Sequence, residues 1–183
     1  YLFQYRKFIS PIIGGYESIA PWVKVLSPNM SPRIFPSPEH LYNITNNLIV
    51  GDVFNFGESI AQSYSKTHVL EDLTAFTAAC AGCDKISPDL IKSLINMNGI
   101  IPSPTLCAIS VDLFLSLMEV LKEVSEIFMD NYYVRRIGYQ SRSTGYLLER
   151  LHSQLILQLI TKNSLSDVLT WQRYVVNTEI SEN

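Results

Sequence analysis

Charge is scarce in this chain of 183 residues: Asp, Glu, Lys and Arg make up 17% of it, against about 25% in an average globular protein. A composition this poor in charge excludes a disordered acidic or basic tail, which needs high net charge and low hydrophobicity. The 14 basic and 17 acidic side chains leave a formal charge of -3 and a pI near 5.6, so general coating of nucleic acid or anionic lipid is not expected. Cysteine is scarce as well. Cys80, Cys83 and Cys107 are an odd, small set in apolar surroundings, which argues against a secreted disulfide scaffold and for a reducing compartment. Long apolar runs are missing too. The stretch 106–121 is broken by Asp112, Ser116 and Glu119, and 155–160 is too short for the roughly 20 residues of a membrane-spanning helix. The chain opens on Tyr1 rather than Met, as a fragment or processed form does, and its first residues lack a clear apolar segment followed by a small-residue cleavage site, so targeting is not readable from them. The expectation is an intracellular protein, cytoplasmic or nuclear, with no membrane contact.

Catalytic signatures are also lacking. There is no G-x-S-x-G elbow, no H-E-x-x-H, no phosphate-cradling G-x-x-x-x-G-K-[ST] and no G-x-G-x-x-G after a strand. His40, His68 and His152 are far apart, and none sits in a motif that pairs a base with a nucleophile. These absences predict a non-enzymatic protein without a cofactor.

What the chain does have is apolar bulk. Hydrophobic residues make up 47%, with 10 Tyr, 8 Phe and 2 Trp, and the mean hydropathy is +0.13. That suffices for one sizeable core, and the surplus predicts a covering partner or self-association. Local signals read as helix starts. Ser37-Pro38, Ser87-Pro88 and Ser103-Pro104 each place a capping hydroxyl before a proline with preset φ. They predict helices over 38–50, 88–97 and 104–136. The third, about 50 Å long, carries Leu106, Ile109, Leu113, Leu117, Val120, Leu121, Val124, Ile127 and Phe128 at helical spacing. A further set, Val111, Phe114, Leu115 and Met118, makes its first half apolar on more than one side, as in a central helix surrounded by others. Further helices are expected over 52–64, 69–81, 146–161 and 165–176. Strand signals are thin, with no hairpin dipeptide between alternating segments.

The fold class expected is therefore all-α: a single helical bundle of about seven to nine helices around the long helix near 104–136. Residues 1–26 read as an N-terminal helical piece docking on the bundle or on a partner. Residues 27–37 read as a Pro/Ser-rich connection and 38–183 as the main helical domain.

Two features carry candidate chemistry. Cys80-Ala81-Gly82-Cys83 is a C-x-x-C pair that could supply half a zinc site. No second pair or H-x-x-x-H completes it, so Cys80 and Cys83 are weak metal candidates and close helix packing is the simpler account. The stretch from Tyr132 to Arg150 interleaves arginine with tyrosine: Tyr132, Tyr133, Arg135, Arg136, Tyr139, Arg142 and Tyr146. Such a mixture suits protein interfaces or single-stranded nucleic acid, unless the arginines only complement a helix C-terminus. Of these, Tyr132, Tyr133, Arg135, Arg136, Tyr139 and Arg142, with Trp22, Trp171 and Tyr174, form the expected partner-binding set. The function expected is a non-enzymatic adaptor or scaffold module that takes a partner peptide or helix in an apolar groove and self-associates as a homo-oligomer. A nucleic-acid-associated protein, or a helical small-molecule binder or enzyme, is the alternative.

Overall fold

The computed structural model describes residues 7–12, 14–17, 22–27, 29–30, 33, 37, 48–162 and 168–176. Its fold is mixed α/β, which corrects the all-α expectation. The chain divides into two compact units, one of Tyr1–Asp52, Ile101–Ser110 and Leu165–Asn183, the other of Val53–Ile100 and Val111–Ser164.

The first unit is built on a six-stranded mixed sheet. Its strands are β1 (Lys7–Ser10), β2 (Tyr16–Glu17), β3 (Lys24–Leu26), β4 (Leu48–Gly51), β7 (Cys107–Ala108) and β8 (Val168–Val176), β5 and β6 belonging to the other unit. β8 is its axis. It runs parallel to β4 from Val168 to Trp171 and parallel to β3 from Tyr174 to Val176, and antiparallel to β1 from Gln172 to Val175. Alternate residues point to opposite faces, and both faces are filled. Trp171 packs with Ile9, Ile49, Leu106 and Ala108, whereas Tyr174 packs with Phe8 and Leu26, its ring 5.6 Å from that of Phe8. The Tyr174 hydroxyl donates to the Ile12 carbonyl at 2.7 Å and accepts from the Gly14 amide at 3.1 Å.

A buried cation lies in the same strand. The Arg173 guanidinium donates to the carbonyls of Trp22, at 2.8 Å, and of Asp52. Gly51 is the register partner of Trp171, which makes Arg173 its diagonal neighbour on the same face. A Cβ at residue 51 would lie 2.5 Å from Arg173 Nη2, so glycine is required there by the close approach of the guanidinium.

The second unit holds the helices and the two-stranded ladder of β5 (Phe54–Asn55) with β6 (Gly99–Ile100). α1 (Ile60–Ser65) opens with a reciprocal capping box between Ser59 and Gln62. α2 (Leu70–Ala81) has Glu71 and Asp72 in its first turn, favourable against the helix dipole. α3 (Pro88–Asn96) starts as expected, with the Ser87 hydroxyl accepting from the Leu90 amide and proline at the first position. α4 (Val111–Asn131) buries Leu117, Val124 and Phe128, with the Phe128 ring edge-on to Phe76 at 5.4 Å. A 3-10 turn over Gly138–Arg142 leads into α5 (Ser143–Lys162), whose Leu147, Leu151 and Ile156 are fully buried.

Several expected helices differ. Residues 38–47 lie outside the described set, while 48–51 form strand β4. The span 52–64 splits into β5 and α1. The helix expected over 104–136 starts only at Val111, because Ser103 takes a left-handed φ of 50° and 107–108 pair as a strand. Nor is that helix surrounded in its first half: Val111 is 70% and Leu115 53% exposed. Residues 165–176, expected as a terminal helix, contain the axial strand β8, and 7–26 contribute strands rather than a helical piece. Trp171, Arg173 and Tyr174 of β8 are buried on opposite faces, so no simple alternation of apolar and polar residues marks the strand, and β8 pairs with segments more than a hundred residues away, a constraint no local window contains.

Candidate functional site

The helical unit gathers a polar and aromatic cluster at the start of α2 and of α5. After α1 the chain folds back so that the His68 amide donates to the Tyr64 carbonyl at 2.8 Å. This lays the His68 ring on that of Tyr64, centroids 4.6 Å apart. From the other side, the 3-10 turn stacks Tyr139 on His68 at 5.7 Å with planes 9° apart, and α5 adds Tyr146 at 4.4 Å. The side-chain amide of Gln140 donates to the Thr67 carbonyl at 2.8 Å and ties the turn to this loop. One helical turn beyond Tyr146, Arg150 returns: its Nη1 donates to the Tyr146 carbonyl at 2.8 Å, and its guanidinium sits 4.7 Å from the Tyr64 ring centroid. Arg142 lies 5.5 Å from the Tyr146 ring centroid.

Beside the cluster, buried Asp72 is gripped by Arg136, Nη2 to Oδ1 at 2.8 Å with Nε at 3.3 and 3.4 Å from the two oxygens. Within the cluster the side chains of His68 and Gln140, and of Tyr146 and Tyr139, act on each other by hydrogen bonding, while the buried Tyr64 Oη and Arg150 Nε close no hydrogen bond among the described residues.

Protonation follows from burial. Tyr64 is pushed up to about 12, mainly by desolvation. His68 is held below its usual range, by desolvation first and by the Arg150 charge second, with Gln140 opposing. The ring is therefore neutral near pH 7, able to take up a proton. Burial also lowers the Arg150 pKa.

The residues expected from the sequence are distributed as follows. Arg136, Tyr139, Arg142 and Tyr146 come together here. Tyr132 and Arg135 are exposed, and Tyr133 meets Phe128 edge-on at 6.2 Å. Trp22 is exposed in the sheet unit and offers its carbonyl to Arg173, whereas Trp171 and Tyr174 are buried in the sheet's two cores. Cys80 and Cys83 are buried, reduced thiols near the end of α2, and desolvation pushes Cys80 up to about 12. Among the described residues no three His, Cys, Asp or Glu side chains gather as a metal site. No helix there is long and apolar enough to cross a membrane. Tyr64, His68, Asp72 and Arg150 were not in the sequence-derived site. No local spacing marks them, since Tyr64 lies in α1, His68 in the loop after it and Asp72 in the first turn of α2.

No protein-family model and no curated protein sequence matches the chain. Among solved structures, the fold resembles the apo structure of the bifunctional glycosyltransferase WbbM, with a TM-score of 0.79 over 95% of this chain at 16% identity. The chain spans 32% of the length of that protein. The likeness is one of fold. It overturns the expectation of a non-enzymatic adaptor or scaffold, since the architecture shared is that of a chain described as an enzyme and not of a helical bundle.

Proposed function

We propose that this chain is a glycosyl-transfer domain that moves a sugar from an activated donor to an acceptor hydroxyl, with the His68 cluster as its working site. The observation that carries the reading is the fold likeness to a glycosyltransferase over 95% of the chain. The chemistry of the cluster suits it. Tyr139, 60% exposed, offers an aromatic face of the kind on which the apolar side of a sugar ring packs. Neutral His68 can accept the acceptor's hydroxyl proton as that oxygen attacks the anomeric carbon, while the bond from that carbon to the leaving group breaks.

The test is to incubate the chain with nucleotide-activated sugars and a set of saccharide acceptors and to measure released nucleotide. The expected result is acceptor-dependent release that falls at least a hundredfold in His68→Gln, in line with the contribution of a general base. Release independent of acceptor, no release from any donor, or unchanged release in His68→Gln, would overturn it.

A further inference from the structure

The two nitrogens of His68 stand in different surroundings. Tyr64, Tyr139 and Tyr146 pack around the imidazole, and the charge that acts on it is that of Arg150 on α5. Nδ1 is buried, as is Oε1 of Gln140, and among the described residues neither atom has a partner other than the opposite side chain. The ring as a whole is only partly buried, so its accessible edge carries Nε2. The Gln140 amide is oriented independently of the histidine. Its nitrogen donates to the Thr67 carbonyl at 2.8 Å, which settles which end of the amide is which and turns the oxygen toward the residue after Thr67. The turn beneath it is tied at both ends: the Ser143 amide donates to the Gln140 carbonyl, and the Ser141 hydroxyl donates to the Gly138 carbonyl at 2.7 Å.

We infer that Gln140 is a positioning residue that keeps the His68 proton on Nδ1 and leaves Nε2 as the nitrogen that takes up the acceptor's proton. An amide oxygen only accepts, so the ring nitrogen that faces it carries hydrogen, and the bond made by one imidazole nitrogen decides what the other presents. The lone pair of Nε2 then lies in the ring plane, along the accessible edge. As an oxygen lone pair of the acceptor forms the new bond to the anomeric carbon, the O–H bond breaks, its electron pair stays on that oxygen and the proton goes to Nε2; the leaving group departs with its own bonding pair. The imidazolium keeps its Nδ1–H on Gln140, which cannot take the proton, and loses the new one to solvent from the Nε2 edge. Glutamine suits this task better than a carboxylate, because a neutral acceptor fixes the tautomer without the negative charge that would hold the ring protonated. The catalytic use of Nε2 rests on the glycosyl-transfer reading; the tautomer itself does not.

The experiment is heteronuclear NMR of the chain carrying isotope-labelled histidine, followed across the imidazole titration for wild type, Gln140→Leu and Gln140→Glu, with His68→Gln identifying the signals of residue 68 among the three histidines. In the wild type the neutral ring is expected with Nδ1 protonated and Nε2 bare. Gln140→Leu is expected to lose that preference and to lower the His68 pKa further, since an acceptor that favours the cation is gone. Gln140→Glu, of nearly the same shape, is expected to raise it by about one or more, and the acidic limb of acceptor-dependent nucleotide release should move up by the same amount. Release in Gln140→Leu should fall about tenfold or more, as befits a base in the wrong tautomer. A proton on Nε2 in the wild type, or a tautomer and pKa unmoved in Gln140→Leu while only its melting temperature falls, overturns the inference. Should Gln140→Leu fail to fold, Gln140→Glu decides, and an unmoved pKa there overturns it. A chain that transfers sugar with His68 protonated on Nε2 refutes the role of Gln140 and leaves the glycosyl-transfer reading standing. A chain with the expected tautomer and titrations that transfers no sugar does the opposite.

Discussion

Replacing Gly51 by alanine tests how the sheet unit is held. The new Cβ would stand 2.5 Å from Arg173 Nη2 and 2.8 Å from its Cζ, well inside van der Waals contact. The guanidinium is fully buried, so it moves only by giving up its bonds to the Trp22 and Asp52 carbonyls. A hydrogen bond from a charged donor contributes about 1.5–3 kcal/mol. Loss or severe weakening of one to two such bonds predicts a cost of about 3 kcal/mol, or roughly 6–12 °C in melting temperature for a protein of this size. Trp22 and Trp171 both lie in this unit, so urea denaturation followed by tryptophan fluorescence reads it directly. In an Arg173→Met background the same alanine has no guanidinium to displace, and its cost is expected to drop below about 1 kcal/mol, a coupling measured by the double-mutant cycle. An equal cost in both backgrounds, or a Gly51→Ala cost under about 1 kcal/mol in the wild type, would refute the reasoning.

Further outcomes follow from the helical unit and from Tyr174. Burial pushes His152 down to about 4 from 6.5, so the unfolded chain takes up that proton first as the pH falls. Stability from this group is complete above pH 6.5 and is lost by about 3 kcal/mol on the way to pH 4; His152→Leu should flatten the pH dependence of the urea midpoint in that window, and an unaltered slope would contradict the assignment. Asp72→Asn leaves Arg136 without its carboxylate, and a loss of about 2 kcal/mol is expected, checked by chemical denaturation. Phe128→Ala removes a ring packed against Phe76 and should cost about 3–4 kcal/mol. Tyr174→Phe removes a hydroxyl bonded to the Ile12 carbonyl and the Gly14 amide and should cost about 1–2 kcal/mol.

Much of the helical unit was legible in the sequence because its signals are local. Ser87-Pro88 states a cap and a first turn within four residues, and the structure places α3 there. α2 and α5 follow from apolar spacing that a single helix face explains. The sheet unit was not legible in the same way. Val168 to Val176 spaces its apolar residues as a short helix does, and only pairing with β1, β3 and β4 makes it a strand. Ser103-Pro104 resembles the productive Ser87-Pro88, yet Ser103 is left-handed and the helix begins at Val111. The candidate site was half visible. The arginine and tyrosine run drew attention to Tyr139, Arg142 and Tyr146, but their partners Tyr64 and His68 come from α1 and the loop after it, more than 70 residues earlier, and the place of Arg150 over the Tyr64 ring is a property of the packed chain alone.

The central claim is that a sugar is transferred at the His68 cluster. It is tested most directly by measuring saccharide product and released nucleotide together, at pH 7, for wild type and His68→Gln, each first shown to melt cooperatively. The account predicts stoichiometric product and nucleotide in the wild type, and a loss of at least a hundredfold in the folded variant. Full activity in His68→Gln, or nucleotide release without a transferred sugar, would contradict it.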